Sequence, residues 1–307
     1  MQQLKNLQYF FRQPKALRIH VGAHKTATTH LQDALKLCKA SLELQGICYI
    51  PIDAFRYKLR LLDQNRVFSQ QGNWLEKRYT LTSKLFSVVN NNQQRIVLSE
   101  ENILGRVTDA LYISPYPAPN VDFINYATTY TDISVFLSIR SFSQIYPAAY
   151  ATGLKFFPEE AIRLKHALQE ALDKGLRPSW VPVVKRLEAQ MPRCQLKCWT
   201  FERYKSHQTE TVSRLLGVSI DDLPAVENPT LTATPGVEAI REAEAQVASG
   251  EHRKVKKWFK VCGDIYRANQ ACDGQPKYTF LTPAMQKELD EQYLTDIATL
   301  TPDGYFT

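Results

Sequence analysis

The sequence predicts an α/β fold in which a mostly parallel central sheet is flanked by helices and followed by a helical C-terminal extension. Three observations predict it. Short apolar runs of strand length alternate with longer stretches of helical periodicity, the order that parallel strands joined through crossover helices generate. The first run passes into a helical pattern through a loop that carries one lysine and three threonines, GAHKTATT. The chain has 307 residues, 44% of them hydrophobic, enough for a substantial core and too apolar for a disordered or fibrous chain.

The elements follow in order. Residues 17–21 (LRIHV) open the sheet. Leu31, Ala34, Leu35, Cys38 and Leu42 then recur at helical spacing and form one apolar stripe, so a helix begins near Thr26, directly behind the loop. Strands are expected at 47–50 (ICYI), 96–98 (IVL), 133–139 (ISVFLSI) and 196–200 (LKCWT). Helices are expected at 74–89, 121–129, 142–156, 159–172, 180–190, 209–216, 237–248 and 283–300. The segment 221–280 is polar and broken by Pro224, Pro229 and Pro235, so it reads as inserted or mobile rather than as a second domain. The whole chain, 1–307, reads as one domain.

Lysine and arginine (38) exceed aspartate and glutamate (31), a net charge of +7 that suits anionic ligands. Nucleic acid is disfavoured, since there is no helix-turn-helix cue, finger spacing or aromatic-basic RNA motif. The densest basic run, RKVKKWFK (253–260), reads as a solvated helix face, or as a contribution to an anionic acceptor site or a closing flap. Six scattered cysteines without a CxxC pair suggest neither a disulfide scaffold nor a zinc ribbon, and Cys194 and Cys198 read as packing residues on one strand face. The N-terminal residues hold no uninterrupted apolar leader, and no window approaches the ~18 apolar residues of a membrane span. A cytoplasmic chain with no transmembrane segment is expected.

The stretch IHVGAHKTATTHLQ (19–32) sets Lys25, Thr26, Thr28 and Thr29 at a helix N-terminus, where unpaired amides and the helix dipole favour a phosphate or sulfate group. It departs from the nucleoside-triphosphate pattern GxxxxGK[ST], because His24 precedes Lys25 and Gly22 lies three residues before it. The loop is similar to the 5′-phosphosulfate loop of sulfotransferases that use 3′-phosphoadenosine 5′-phosphosulfate (PAPS), usually KTGTT followed by an apolar residue and Gln. RIVLSEENILG (95–105) resembles the strand-end Ser-x-Glu segment of bacterial members. VFLSIRSFSQIYPAAYATGLK (135–155) resembles the strand-to-helix 3′-phosphate motif that begins with Arg. LKCWTFERY (196–204) and ELDEQYLTDIATL (288–300) resemble the closing strand and last helix.

This resemblance implies a P-loop-like architecture and transfer of a sulfuryl group from PAPS to a hydroxyl or amine of a glycan, glycolipid or small metabolite. The product would be 3′-phosphoadenosine 5′-phosphate (PAP), with no metal required. Lys25 would neutralise the departing phosphate. Gly22, His24, Thr26, Ala27, Thr28 and Thr29 would shape or hold the 5′ end, and Arg140 the 3′-phosphate with Ser141 and Ser143 nearby. Two positions depart from the pattern: Ala27 stands where glycine is usual, and Ala148 where the 3′-phosphate serine is usual. Glu101 is the first candidate for the general base, with Asp53 after the second strand next, then Glu100, His24 and His30. The acceptor, a small molecule or glycan, would be an anionic one if the basic run contributes. Two other readings stay open: a P-loop nucleotide-dependent kinase in which IVLSEE holds magnesium, and a PAP- or PAPS-binding protein without activity.

Overall fold

Five strands form where apolar side chains run together: β1 (Ala16–His20), β2 (Ile47–Ile50), β3 (Arg95–Ser99), β4 (Asp132–Ile139) and β5 (Gln195–Thr200). The computed structural model describes residues 14–59, 65–68, 73–89, 93–226, 235–269 and 277–306. The N-terminal segment 1–13, Cys272 and parts of 221–280 lie outside the described residues. All strand pairs are parallel and the order is β2-β3-β1-β4-β5. Each expected strand is present, within one residue at either end.

The helices are α1 (Thr28–Leu37), α2 (Lys39–Leu44), α3 (Asn65–Phe68), α4 (Trp74–Thr80), α5 (Asp122–Ala127), α6 (Phe142–Phe156), α7 (Pro158–Asp173), α8 (Trp180–Gln190), α9 (Phe201–Ser206), α10 (Gln208–Leu216), α11 (Val237–Ala248), α12 (Glu251–Lys254), α13 (Trp258–Ala268) and α14 (Pro283–Leu300). The long helix expected at 74–89 stays α-helical only to Thr80, then passes through a π turn (Leu81–Leu85) and a 3-10 turn (Phe86–Val88). Hydroxyls compete with the backbone ladder there: Thr82 Oγ1 donates to the Arg78 and Tyr79 carbonyls, and Ser87 Oγ to that of Ser83.

Both faces of the sheet are covered, as a parallel sheet requires. Leu17, Ile19, Ile96, Leu98, Val135 and Leu137 enter one buried cluster, while Val97, Phe136 and Trp199 point the other way and pack with Leu31 and Leu35 of α1. The described part of 221–280 is packed against the rest. Ile240, Ala243, Trp258, Cys262 and Ile265 join the larger cluster, and the Trp258 indole N–H donates to the Leu154 carbonyl at 2.9 Å. No described helix is long and apolar enough to cross a membrane.

The strand order decides where a site can form. From β1 the chain crosses toward β3 and β2, whereas from β4 it crosses to β5 on the opposite side. The crevice beyond the carboxyl ends of β1 and β4 is therefore the switch point at which open α/β sheets bind ligands.

Candidate functional site

The loop after β1 is held from below. Val21 and Ala23 donate backbone N–H groups to Phe136 and Ser138 of β4, both at 2.9 Å. Beneath it His20 contacts Ser99 Oγ at 2.8 Å and Ser138 Oγ at 3.3 Å, and burial lowers its pKa to about 3, so the ring is neutral. Gly22 adopts φ +96°, and a Cβ there would meet the Glu101 Cβ at 2.9 Å, so this glycine allows the β1 and β3 loops to touch. Ala27 caps α1 in the left-handed conformation, φ 65° and ψ 27°, without a side-chain hydrogen bond. This backbone shape explains why glycine suits the position and why the helix starts at Thr28 rather than near Thr26. The Leu31 amide finds the Ala27 carbonyl at 3.0 Å, leaving the amides of Thr28, Thr29 and His30 at the open helix end.

Two of the three threonine hydroxyls turn inward. Thr26 Oγ1 donates to the Ala23 carbonyl at 2.7 Å and lies against Ser138 Oγ, and Thr28 Oγ1 donates to the same carbonyl at 3.1 Å. Thr29 is exposed. Lys25, half-buried, has no hydrogen bond or ion pair for its ammonium among the described residues. Burial lowers its pKa to about 8; Glu101 pulls it up, and Lys155 and Arg140 push it further down.

At the end of β3 the two glutamates differ. Glu100 is fully buried, and Arg56 grips it through Nε to Oε2 at 2.7 Å and Nη2 to Oε1 at 2.5 Å, while the Asn102 amide donates to Oε1 at 2.9 Å. Burial pushes the Glu100 carboxyl up against the opposing pull of Arg56. Glu100 thus caps the short turn Glu101–Ile103 and does not face solvent, so it is not placed to act as the base. Glu101 Oε1 lies 3.5 Å from Arg56 Nη2, whereas its Oε2 is buried without a hydrogen-bond partner among the described residues.

Arg140 follows β4. Its Nη1 donates to the Lys25 carbonyl at 2.9 Å, Nε and Nη2 donate to Gln144 Oε1, and the guanidinium lies 4.0 Å from the centre of the Phe201 ring. With three of five N–H groups so engaged, two are without a partner among the described residues. Ser141 caps α6 by accepting the Ser143 amide at 3.2 Å, and both hydroxyls donate to Asp290 Oδ1 of α14, that of Ser143 at 2.5 Å. A carboxylate therefore occupies them. Ala148, eight residues beyond Arg140, is buried.

His24 lines a cleft of about 890 Å³ together with Arg56, Glu101, Asn102, Arg106, Phe156 and other side chains. Its ring stacks on Tyr116, and burial lowers its pKa to about 3, so it shapes the loop as a neutral ring. His30 contacts the Tyr204 hydroxyl at 2.8 Å. Asp53 is exposed and does not line the cleft. The structure thus brings Lys25, Glu101, His24 and Arg140 together and leaves Asp53 and His30 aside. Sequence reasoning missed Arg56 and Lys155. Arg56 lies on a π-helical turn (Ala54–Leu59) with no periodic signal, and Lys155 closes the quoted Arg140 motif with nothing to mark it.

No family model matches this sequence, and no curated protein does. Among solved structures, retinol dehydratase in complex with androsterone and the inactive cofactor PAP aligns at a TM-score of 0.34 and 11% identity, covering 93% of this chain and 81% of that one. Retinol dehydratase in a complex with retinol and PAP aligns at a TM-score of 0.30 and 13% identity, covering 97% and 85%. Similarities this low assign neither a function nor a ligand to this chain.

Proposed function

We propose that this chain binds a nucleotide of the PAP or PAPS type between the loop after β1 and Arg140, and that it transfers a sulfuryl group to an acceptor in the adjoining cleft. One observation carries the reading: a half-buried Lys25 ammonium just before α1, unpaired among the described residues, stands in the field of Glu101, whose inner oxygen likewise has no hydrogen-bond partner among them. The residues fit such a ligand. The open amides of α1 and the Lys25 ammonium suit a 5′ anion, and the two spare N–H groups of Arg140 suit a phosphate, which guanidinium binds in bidentate fashion.

PAPS, when bound, supplies the sulfuryl group. Lys25 stabilises negative charge on the departing oxygen, a contribution that grows in a partly dry site. Glu101 accepts the acceptor's proton at Oε2, the atom left free while Arg56 attends Oε1. His24, neutral at ordinary pH, holds the loop beside Asn102 and Tyr116. The kinase reading is weaker, because Arg56 and the Asn102 amide occupy the oxygens of Glu100 that would face a magnesium ion.

A second reading, nucleotide binding without transfer, is favoured by the engagement of Ser141 and Ser143 with Asp290 and by the strained Ala27. A thermal-shift series with PAP, ATP and GTP, each with and without magnesium, tests the binding step. PAP is expected to raise Tm without metal, and Lys25→Met to abolish the rise. A shift seen only with ATP or GTP plus magnesium would sink the reading in favour of a kinase. For transfer, Glu101→Gln should keep the PAP shift and lower kcat by roughly 10²–10⁴-fold, with nitrophenol restoring it because that acceptor ionises unaided. A PAP shift without turnover on any acceptor would leave the second reading.

A further inference from the structure

The cleft beside Lys25 runs out to Phe156, at the end of α6. There the Phe156 ring stacks on Phe259 of α13, with centroids 6.2 Å apart and planes 17° apart, and both rings are well exposed, at 52% and 42%. The ridge is firmly seated, because the neighbouring Trp258 is buried and bonded to the Leu154 carbonyl. Its cations divide into two sets. Arg253 pairs with Glu159 and Lys254 with Glu251. Lys155, Lys256, Lys257 and Lys260 have no ion-pair partner among the described residues. Lys155 sits 5.6 Å from the Phe156 ring centre and is near enough to Lys25 to lower its pKa, so it links the ridge to the loop. Gly263 leaves space for its head, since a Cβ there would come within 3.3 Å of Nζ.

We infer that this ridge is the outer half of the acceptor site and that it takes an acidic sugar chain, one bearing carboxylates along a polyhydroxylated backbone. Two exposed rings form an apolar platform for the C–H faces of pyranose rings. Lys155 beside Phe156, and the exposed Lys256, Lys257 and Lys260 that flank Phe259 along the chain, match carboxylates, and Asn102 and Asp109, which also line the cleft, offer hydrogen bonds to hydroxyls. A wholly apolar acceptor would leave those lysines without counter-charge. The inference rests on the proposed reading only in placing the reacting end of the chain at Lys25.

Calorimetry with trigalacturonate as the probe, on protein with and without saturating PAP, tests it. Maltotriose serves as the neutral arm and hexaglutamate as the acidic peptide arm. Trigalacturonate is expected to bind at least tenfold more tightly than either. Phe259→Ala, and Lys256→Ser with Lys257→Ser, alter exposed side chains and should weaken it severalfold while sparing PAP affinity. Lys155→Met should weaken it as well, and rising salt should reduce the difference between trigalacturonate and maltotriose. Equal binding of maltotriose, equal binding of hexaglutamate, or variants that bind like the wild type would overturn the inference. Ridge-dependent trigalacturonate binding without any PAP shift would remove the nucleotide reading and leave the ridge standing; a PAP shift without trigalacturonate binding would do the reverse.

Discussion

Burial brings Lys25 to about 8, within the range of ordinary buffers, and only its protonated form attracts an anion. A bound anion raises that pKa, so affinity is full below about pH 8 and falls above it. For a group titrating near 8, PAP should bind about fivefold more weakly at pH 9 than at pH 8. In the free protein the sign is opposite. The unfolded chain holds the Lys25 proton up to its ordinary 10.5, so the contribution of Lys25 to stability rises with pH between about 8 and 10.5. Calorimetry at pH 7, 8 and 9 on wild type and Lys25→Met checks the first effect, and affinity unchanged to pH 9 would exclude the ammonium as the binding group. His20 and His24, both near 3 in the fold, stay neutral between pH 5 and 8 and add no step to binding there, but the unfolded chain takes up both protons near 6.5, so stability falls as pH drops below that value. Ala27 carries the second prediction at this scale. A left-handed non-glycine residue costs roughly 1–2 kcal/mol, and glycine offsets that with roughly 0.5–1 kcal/mol of unfolded-state entropy. Ala27→Gly should therefore hold or raise Tm by up to a few degrees and hold or tighten PAP binding; a marked loss of either would mean that the loop shape depends on the methyl group. Lys25 and Ala27 were legible because loop chemistry is written locally. The inward turn of Thr26 and Thr28 was not, because it depends on where the Ala23 carbonyl ends up.

Between elements, the tie of α14 to the start of α6 shapes the Arg140 side of the crevice. Asp290 receives both serine hydroxyls, placing a carboxylate beside the region proposed for the 3′-phosphate. Like charges this close repel, and the serines cannot donate to a phosphate while Asp290 accepts their hydrogen bonds. Asp290→Asn keeps a hydrogen-bonding partner and removes the charge, so PAP affinity should rise severalfold with little change in Tm. Weaker binding in this variant would place the nucleotide away from Ser141 and Ser143. The pairing of residues 149 positions apart has no trace in a single sequence, whereas the elements that present it do. Each strand was legible as a short apolar run, and α6 through its placement directly after one. Helix α13 was hidden by the basic run RKVKKWFK (253–260), whose first five residues precede it and read as a surface, although Trp258 at its start and Cys262 further along are buried.

At the scale of the molecule, α11 to α13, the described helices of 221–280, pack into the core that supports the candidate site. Ile240, Ala243, Trp258, Cys262 and Ile265 share a buried cluster with Leu17 and Leu98 of the sheet, so separating them would open the core around α6, the helix that bears Lys155 and follows Arg140 directly. The sequence reading of 221–280 as inserted or mobile rests on polar composition and three prolines, which report what faces water, not what a few apolar residues grip. A shared core unfolds as a unit. Trp258→Ala removes a buried indole and leaves the Leu154 carbonyl short of a donor, a change that should cost ~3–5 kcal/mol. In urea, followed by circular dichroism and by tryptophan fluorescence, the variant is expected to show one transition at a lower midpoint, coincident for both probes, with m close to that of the wild type. If α11 to α13 were instead an appendage, a weak early transition would separate from an unshifted main one. The PAP shift distinguishes the cases again: in a single cooperative unit the nucleotide raises the whole midpoint of the variant, whereas in a divided molecule it moves only the transition of the sheet.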